Sequence, residues 1–356
     1  MVNAVEEHSG TQRRMRSAIE NSHDRESAVC VDMGTTNTRV WLVTGDDVLA
    51  RAQAQVGVGD AAREGSTSRL RAALKSLIIE VCSGARDPSY VAAAGMITSS
   101  LGLAEIPHVE GPAGVRDLAR SLQRRNFPDV AGVPFFLVPG VRIGPGRCRP
   151  EGVGETDMMR GEETLCVGLI ERGLLKGPAS LLTLGSHWKA IRIDEGNRIA
   201  SSVTSMSGEL IHAAQTKTIL ASAVPRDKPN SIDGPWLDAG MEEQRRSGLP
   251  RALFCVRLLE QRSDGSPEQR LSFLIGAFIA ADLDALIGRG ALRNDNSLVI
   301  TGGGVLAQAW QRALSAVSIQ PVALTDAETE RGLLAGLRSV VGAAKRDGGP
   351  NETGIR

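Results

Sequence analysis

The sequence has few aromatic residues and no net charge, and both shortages exclude classes of partner. Phe, Trp and Tyr make up only 3% of the 356 residues, too few for the stacked aromatic platforms that bind single-stranded nucleic acid. Lys plus Arg and Asp plus Glu number 41 each, so the formal net charge is zero. Because no overall field draws the chain to nucleic acid or acidic lipid, we expect neither a nucleic-acid nor a membrane partner.

Secretion signals and a disulfide framework are lacking as well. The five cysteines are widely spaced without a C-x-x-C pair, which is typical of reduced thiols in a cytoplasmic protein. Residues 1–27 mix charges of both signs without an apolar segment, so we expect a disordered extension there, and a flexible tail at 345–356. The most apolar run, from Leu271, is interrupted by Asp282 and Asp284 and predicts a core helix.

The common nucleotide-binding motifs are missing too, since the sequence contains neither G-x-G-x-x-G nor G-x-x-x-x-G-K-[ST]. In their place, residues 28–43 (AVCVDMGTTNTRVWLV) predict a strand, a polar turn and a second strand. Asp32, at the strand end, is an oxygen ligand suited to Mg²⁺. Backbone amides at such a turn can enclose phosphate oxygens. Here they belong to Gly34, Thr35, Thr36 and Asn37. Taken alone, the segment fits an ordinary β-hairpin equally well.

The same plan returns in the second half of the chain. From Ala179 an apolar strand leads to a polar turn of Gly185, Ser186 and His187. Further on, SLVITGGGVLA predicts a strand, a turn and a helix, and the helix N-terminus favours a phosphorylated ligand; the turn consists of Gly302, Gly303 and Gly304. Neither turn is specific alone. Because the order of elements repeats, we predict two α/β domains, at 28–175 and 176–344, with a cleft between them.

Polar residues between these motifs are candidates for substrate contacts. A small-residue strand from Tyr90 runs into a loop of Gly95, Met96, Thr98, Ser99 and Ser100. Arg142 and Arg160 are candidate guanidinium forks for a carboxylate, although each fits an ordinary surface arginine as well. Glu162 and Glu163 fall in the first turn of a predicted helix, where carboxylates suit the helix dipole. The run VRDLARSLQRR, residues 115–125, predicts another helix.

Taken together, these segments resemble the 2-dehydro-3-deoxygalactonokinase family, sugar-acid kinases of the superfamily of actin, hexokinase and the heat-shock chaperones. The similarity covers nearly everything except the two ends of the chain. VDMGTTNTRVWL is similar to the family's phosphate hairpin, AAGMITSSLGLAEIPHVEGPA to its substrate loop, and LGSHWKAI to its second hairpin. MMRGEET resembles its central motif and ITGGGVLA its adenosine turn. MRGEET and AGMI are specific to the family, whereas the hairpins and the triple glycine belong to the whole superfamily.

The resemblance implies an α/β protein of two actin- and ribonuclease-H-like domains with an ATP cleft between them. It implies an ATP- and Mg²⁺-dependent carbohydrate kinase that phosphorylates a 2-keto-3-deoxy sugar acid, with 2-dehydro-3-deoxy-D-galactonate, converted to its 6-phosphate, as the expected substrate. A cytoplasmic enzyme is expected, and a homodimer is left open.

The resemblance also assigns roles to residues of this chain. Asp32 would hold Mg²⁺, and Glu162 is preferred over Glu163 and Asp157 as the base that accepts the hydroxyl proton. The two polar turns and the triple glycine would bind ATP. The sugar acid would be bound by Gly95, Met96, Thr98, Ser99, Ser100, Arg142, Arg160 and Lys189.

Several positions depart from the family pattern. Met33 stands where Trp is usual and Leu165 where Gln is usual, and Ser100, Leu103 and His108 differ in the substrate loop. The second hairpin reads LGSHWKA instead of P-G-T-H-x-K-W, and Ala309-Trp310 replaces an Arg-Tyr pair. The choice of sugar acid therefore stays open. A non-catalytic nucleotide sensor and an exopolyphosphatase-like hydrolase are the alternatives, and the retained MITSS and RGEET segments favour the kinase over both.

Overall fold

The computed structural model describes residues 26–84, 87–263, 265–294 and 297–348, together with the backbone of 351–352. The extension predicted at residues 1–27 lies outside these residues except for its last two, and much of the predicted tail lies outside them as well. The strands are β1 Ser27–Met33, β2 Thr38–Thr44, β3 Asp47–Ala54, β4 Tyr90–Gly95, β5 Val109–Glu110, β6 Gln123–Arg125, β7 Phe135–Leu137, β8 Val141–Ile143, β9 Asp157–Met159, β10 Ala179–Leu184, β11 Trp188–Ile193, β12 Ile199–Ser205, β13 Ser297–Thr301, β14 Val322–Ala323 and β15 Asn351–Glu352. The α-helices are α1 Val58–Glu64, α2 Ser68–Cys82, α3 Val115–Arg120, α4 Glu162–Glu171, α5 Ser207–Lys217, α6 Gly234–Ser247, α7 Leu249–Arg262, α8 Pro267–Gly288, α9 Gly304–Ser315 and α10 Asp326–Arg346. Short 3₁₀ turns occupy Met96–Thr98, Pro150–Glu155 and Ile219–Ser222.

The described residues group into two units by their internal contacts. The first unit comprises the residues up to Pro107, residues 120–139 and those from Ala344 onward, and the second comprises residues 108–119 and 140–343. Residues 140–175, which the sequence analysis assigned to the first domain, therefore make their contacts in the second unit. The domain boundaries at 175 and 176 and the ATP cleft stay predictions.

The first unit is built on a mixed sheet with strand order β15-β6-β7-β4-β1-β2-β3. β1 pairs antiparallel with β2 and parallel with β4, so neighbours cover both of its edges. Except for Asp32 its residues are buried, as expected for a central strand. One face of α2 packs in the same core through Leu70, Leu74, Leu77, Ile78 and Val81. The strand, turn and strand predicted at residues 28–43 are confirmed.

The second unit repeats this plan in a sheet with the order β12-β11-β10-β13-β14. Like β1, β10 pairs antiparallel with the next strand and parallel with a later one. The predicted repeat of elements is therefore confirmed. The helix predicted from Leu271 is α8, which has the length and composition of a membrane span, yet 67% of that stretch is buried inside the protein. Thirteen of its 22 residues are buried, and nine of these belong to the core of the second unit, so the predicted core helix is confirmed.

The structure corrects the helix predicted over residues 115–125. The helix α3 ends at Arg120, and Gln123–Arg125 form β6, which pairs antiparallel with β7. Leu118 and Leu122 are both fully buried and are four residues apart, as on one face of a helix. This spacing indicated a continuous helix, although the chain leaves the helix between the two residues. The short sheet β5-β8-β9 and the helices α1 and α6 were not predicted. Strands of two or three residues are too short to show a period in the sequence.

Close backbone contact joins α4 to α10 in the second unit. A Cβ on Gly168 would lie 1.7 Å from the carbonyl oxygen of Gly332, and a Cβ on Gly336 would lie 1.9 Å from that of Thr164. No side chain fits between helices at this separation. The crossing therefore fixes α4, whose first turn carries two candidate catalytic residues.

We expect Gly168→Ala to lower the free energy of unfolding by about 2 kcal/mol or more, because the added methyl group forces the helices apart. Gly288→Ala at the end of α8 is the matched control, since no described atom lies within 4 Å of its added Cβ. The control should be neutral or slightly stabilising. Urea denaturation measures both variants. Equal stability of Gly168→Ala and the wild type would contradict the close crossing.

Candidate active site

The first candidate phosphate turn lies between β1 and β2. The Gly34 N–H donates to the Asn37 carbonyl oxygen at 2.8 Å and closes the turn. The start of α1 packs against it, because the Gly59 N–H donates to the Thr35 carbonyl oxygen at 2.8 Å and a Cβ on Gly57 would lie 2.5 Å from that oxygen. The turn exposes the side chains of Thr35, Thr36 and Asn37. A short helix thus fixes the backbone of the turn and leaves its side chains toward solvent.

Asp32 lies at the end of β1, beside this turn, and its side chain is 17% exposed. Arg39, its partner in the β1–β2 ladder, donates to Oδ2 from Nη2 at 2.6 Å and from Nε at 3.2 Å. The other oxygen, Oδ1, lies only 3.2 Å from the position that a Cβ on Gly95 would take. Gly95 has φ +86°, a conformation that favours glycine. The absent side chain therefore leaves Oδ1 room for a ligand.

This arrangement fits Mg²⁺ bound mainly by phosphate and water. No group of three or more His, Cys, Asp or Glu side chains within the described ranges could hold a metal ion. Mg²⁺ keeps several waters and binds one or two carboxylates together with substrate phosphates, so Asp32 alone is a sufficient protein ligand. Arg39 was not among the predicted site residues, although the hairpin register pairs it directly with Asp32.

The loop after β4 presents its polar groups unequally. Thr98 is fully buried and its hydroxyl donates to the Gly95 carbonyl oxygen at 3.0 Å. The Ser99 hydroxyl donates to the Met96 carbonyl oxygen at 2.7 Å. Ser100 is exposed. Two of the three predicted substrate hydroxyls therefore stabilise their own turn, and Ser100 is the one that reaches solvent.

The second candidate phosphate turn, between β10 and β11, is supported in the same way as the first. The start of α5 packs against it, since the Glu209 N–H donates to the Ser186 carbonyl oxygen at 2.7 Å. A Cβ on Gly208 would lie 2.2 Å from the Gly185 carbonyl oxygen. His187 is exposed, and its Nε2 lies 3.3 Å from Oε2 of Glu209.

The triple-glycine turn lies next to this hairpin. Gly302 has φ +88°, and a Cβ there would lie 2.3 Å from the carbonyl oxygen of Leu184, the last residue of β10. At Gly303 and Gly304, by contrast, an added Cβ would meet no described atom within 4 Å. The structure therefore brings the predicted nucleotide residues of the second unit together, beside open space.

The MMRGEET segment forms β9 and the start of α4, in contact with β11. Lys189, which is 4% exposed, donates from Nζ to the Met158 carbonyl oxygen at 2.9 Å. Its Nζ also lies 3.3 Å from Oε1 of Glu162, whose side chain is 26% exposed. Asp157 accepts hydrogen bonds from Ser202 and Thr204. Both acids are partly exposed, but Asp157 is held by two hydroxyl groups, whereas Glu162 is paired with a cation.

Glu163 is fully buried, unlike its neighbour. Both of its carboxylate oxygens accept from the Gly161 N–H, at 2.9 and 2.8 Å, and the Thr164 hydroxyl donates to Oε1 at 2.9 Å. Burial, with the charge of Glu162 beside it, raises the pKa of Glu163 to about 7. Glu163 therefore stabilises the bend at Gly161, while the carboxylate of Glu162 is the one of the pair that reaches solvent.

The two candidate guanidinium groups lie in one cationic cluster of the second unit. Arg160 approaches His108, with 3.3 Å between Nη2 and Nδ1, and Arg142 forms an ion pair with Glu110. Backbone contact at Gly140 brings these segments together, because a Cβ there would lie 2.8 Å from both Cγ of Arg160 and Cδ2 of His108. The short sheet β5-β8-β9 thus brings the segment around Arg142 next to the MMRGEET segment. His108 was not among the predicted site residues and was identified only as a departure from the family pattern.

We expect the pKa of Glu163 to appear in the pH dependence of stability. Because the pKa is raised from 4.5 to about 7, the folded protein keeps a proton that the unfolded chain releases between these values. The free energy of unfolding of the wild type should therefore fall with rising pH, relative to Glu163→Gln, by up to about 3 kcal/mol. Denaturation at pH 4.5, 6 and 8 measures the difference. Glu171→Gln, at the exposed end of α4, is the control, and a Glu163→Gln difference that is constant with pH would contradict the assignment.

Comparisons with known proteins identify the family to which the chain belongs. The family model described as 2-keto-3-deoxy-galactonokinase matches residues 32–336. The 2-dehydro-3-deoxygalactonokinase of Escherichia coli (strain K12) is 27% identical over 320 residues, which cover 88% of this chain and 97% of that protein. The crystal structure of a candidate 2-dehydro-3-deoxygalactonokinase from Sinorhizobium meliloti has a TM-score of 0.68 at 25% identity, covering 89% of this chain and 98% of its own.

A more distant structure shows the fold alone. The activator of the 2-hydroxyisocaproyl-CoA dehydratase from Clostridium difficile, solved with bound ADPNP, has a TM-score of 0.50 at 12% identity, covering 92% of this chain and all of its own. The predicted actin-like α/β fold, the resemblance to the sugar-acid kinases and the prediction of a carbohydrate kinase are confirmed. The protein belongs to the 2-keto-3-deoxy-galactonokinase family, and it is a carbohydrate kinase of that type.

Proposed function

We propose that the protein transfers the γ-phosphoryl group of ATP to the terminal hydroxyl of a 2-keto-3-deoxy sugar acid. The expected substrate is 2-dehydro-3-deoxy-D-galactonate, and the expected product is its 6-phosphate. The cluster of Arg142, Arg160 and His108 near the Lys189–Glu162 pair carries the proposal, since it combines cations for a carboxylate with an accessible acid. A neutral sugar would not need these cations.

In this proposal the polar turns of the two units bind the phosphates of ATP. Each turn is held from behind by a helix start, and each leaves polar side chains exposed, so their amides are preorganised for an anion. The triple-glycine turn offers a flat backbone surface to adenosine. Bound Mg²⁺ would neutralise phosphate charge, with Asp32 as its protein ligand. Arg39, whose side chain is 51% exposed, would leave Oδ2 of Asp32 and turn toward the phosphates.

Glu162 is the proposed base. The substrate hydroxyl oxygen would form a bond to the γ-phosphorus, the bond between this phosphorus and the bridging oxygen of ADP would break, and the hydroxyl proton would pass to the Glu162 carboxylate. Lys189 would hold this carboxylate in place through the ion pair between Nζ and Oε1. Glu163 would not contact the substrate; its carboxylate would hold the bend at Gly161, which precedes α4.

A coupled assay of ADP release tests this function. The panel contains 2-keto-3-deoxy sugar acids of different stereochemistry, the corresponding aldonic acids, and neutral hexoses. We expect turnover with the keto-deoxy acids and none above background with the hexoses. Turnover of a neutral hexose in preference to every acid would contradict the proposal.

We expect Asp32→Asn to leave the fold intact and to lower kcat about 10²-fold or more, because the variant lacks the charge that holds Mg²⁺. Asp47→Asn is the control, since Asp47 is an exposed acid of the same unit at the start of β3. Steady-state rates at saturating Mg²⁺ and circular dichroism provide the comparison. Turnover within a few-fold of the wild type would remove Asp32 from the site.

We expect Arg160→Lys to raise KM for the sugar acid roughly tenfold and to leave KM for ATP nearly unchanged, because lysine keeps the charge but lacks the planar fork. Arg198→Lys is the matched control, since Arg198 also makes a two-point contact with a carboxylate, that of Asp194, but away from the cluster. If Arg160→Lys instead lost ATP affinity and kept sugar-acid affinity, Arg160 would belong to the nucleotide site.

A further inference from the structure

His108 has a fixed position in the cationic cluster. It precedes β5, and its ring packs against the backbone of Gly140, where a Cβ would lie 2.8 Å from Cδ2. No larger residue fits at position 140 without displacing this ring. The imidazole orientation therefore follows from backbone packing, before any ligand binds.

The tautomer of His108 follows from its neighbour. The guanidinium group of Arg160 can only donate hydrogen bonds, and its Nη2 lies 3.3 Å from Nδ1 of His108. Nδ1 must therefore accept, and in the neutral ring the proton is on Nε2. His108 thus directs an N–H group away from Arg160.

The ring is neutral at physiological pH. Burial and the charges of three nearby cations lower the pKa of His108 to about 4. The cations are Arg160, Arg142 and Lys189. These cations come from the β9–α4 connection, from β8 and from β11, so they surround the imidazole from several elements. A neutral donor among cations favours an oxygen acceptor, and an anionic ligand most of all.

Two donors of this cluster are buried without a hydrogen-bond acceptor among the described residues. They are Nε2 of His108 and Nε of Arg142. A buried donor without an acceptor is unfavourable, and such groups are few in native proteins. Because both lie in the cluster proposed for the sugar acid, a ligand rich in oxygen atoms would satisfy them together.

We infer that His108 is a specificity-determining residue, whose Nε2–H donates a hydrogen bond to an oxygen of the sugar acid beside the carboxylate bound by Arg142 and Arg160. The inference rests on the proposed function, since it names a further contact of the same substrate. It also assigns a consequence to a departure from the family pattern. The histidine at position 108 selects acids with an acceptor oxygen near the carboxylate, such as the 2-keto group, and discriminates against acids that lack one.

Two replacements of His108 separate hydrogen bonding from packing. His108→Phe keeps a flat ring but removes the donor, and His108→Gln restores an N–H donor of similar reach. We expect His108→Phe to raise KM for the sugar acid about tenfold or more, with KM for ATP within twofold of the wild type. His108→Gln should recover most of the affinity. His212→Gln, an exposed histidine on α5 of the same unit, is the control and should match the wild type.

The pH profile supplies a second readout. Because the imidazole of His108 stays neutral, KM for the sugar acid should be flat from pH 6 to 8, and it should be flat in His108→Gln as well. If His108 acted as a cation instead, wild-type KM would rise as the pH passes through the ordinary histidine pKa of about 6.5 and the Gln variant would not follow. That result would overturn the inference.

Calorimetry of sugar-acid binding without ATP distinguishes failure of the inference from failure of the proposed function. The inference would be wrong if the wild type is active but binds the sugar acid no more tightly than His108→Phe does. That result would show that Nε2–H of His108 donates to an acceptor inside the protein rather than to the ligand. Equal losses of acid and ATP affinity in His108→Phe would assign the residue to packing and would also overturn it. A wild type that neither binds nor phosphorylates any keto-deoxy acid would overturn the proposed function and the inference with it.

Discussion

The structure depends on close contacts between backbone segments, at distances that leave no room for a side chain. At Gly208 and Gly302 the chain lies against the carbonyl oxygens of the second hairpin, and at Gly57 a helix start lies against the first. The polar turns have little apolar surface of their own to bury. They are held instead by amide-to-carbonyl hydrogen bonds from the helices beside them, so the amides needed for an anion keep one orientation.

The charged residues of the second unit are arranged on this framework. Lys189 lies in β11 two residues after His187 of the polar turn, and it holds both the Met158 carbonyl oxygen and the Glu162 carboxylate. One buried cation therefore connects the hairpin proposed for the nucleotide with the segment proposed for the sugar acid. In surroundings of low dielectric constant such a pair is sensitive to small displacements. Movement of the hairpin would therefore displace Lys189 and change its distance to the Glu162 carboxylate.

Local patterns in the sequence predicted the elements that bury an apolar face. The two hairpins, α2, α8 and the strand and helix around the triple-glycine turn could be predicted, because an apolar run or helical spacing extends over five or more residues in each. The helix α1 could not, since it has only seven residues and glycine at its start. The sheet β5-β8-β9 was missed for the same reason, although it joins Arg142, Arg160 and His108.

The environment of the candidate site residues could not be predicted from the sequence. Glu162 and Glu163 are adjacent and identical in the sequence, yet one reaches solvent and the other is fully buried. Thr98 and Ser100 differ in the same way. Which member of such a pair is available depends on the twist of the chain and on distant elements packed over it, such as α10 crossing α4. The sequence contains no local signal of that packing.

Two tryptophans of the second unit connect the second hairpin to a helix. Trp188, at the start of β11, and Trp310, in α9, are both buried and pack edge to face, with ring centroids 5.4 Å apart and an angle of 76° between planes. Trp310 stands where the family pattern has Tyr, whereas Trp188 falls at a position that the pattern leaves open. Because the two rings fill one volume of the core, a change of size at either position alters the packing of both the hairpin and α9.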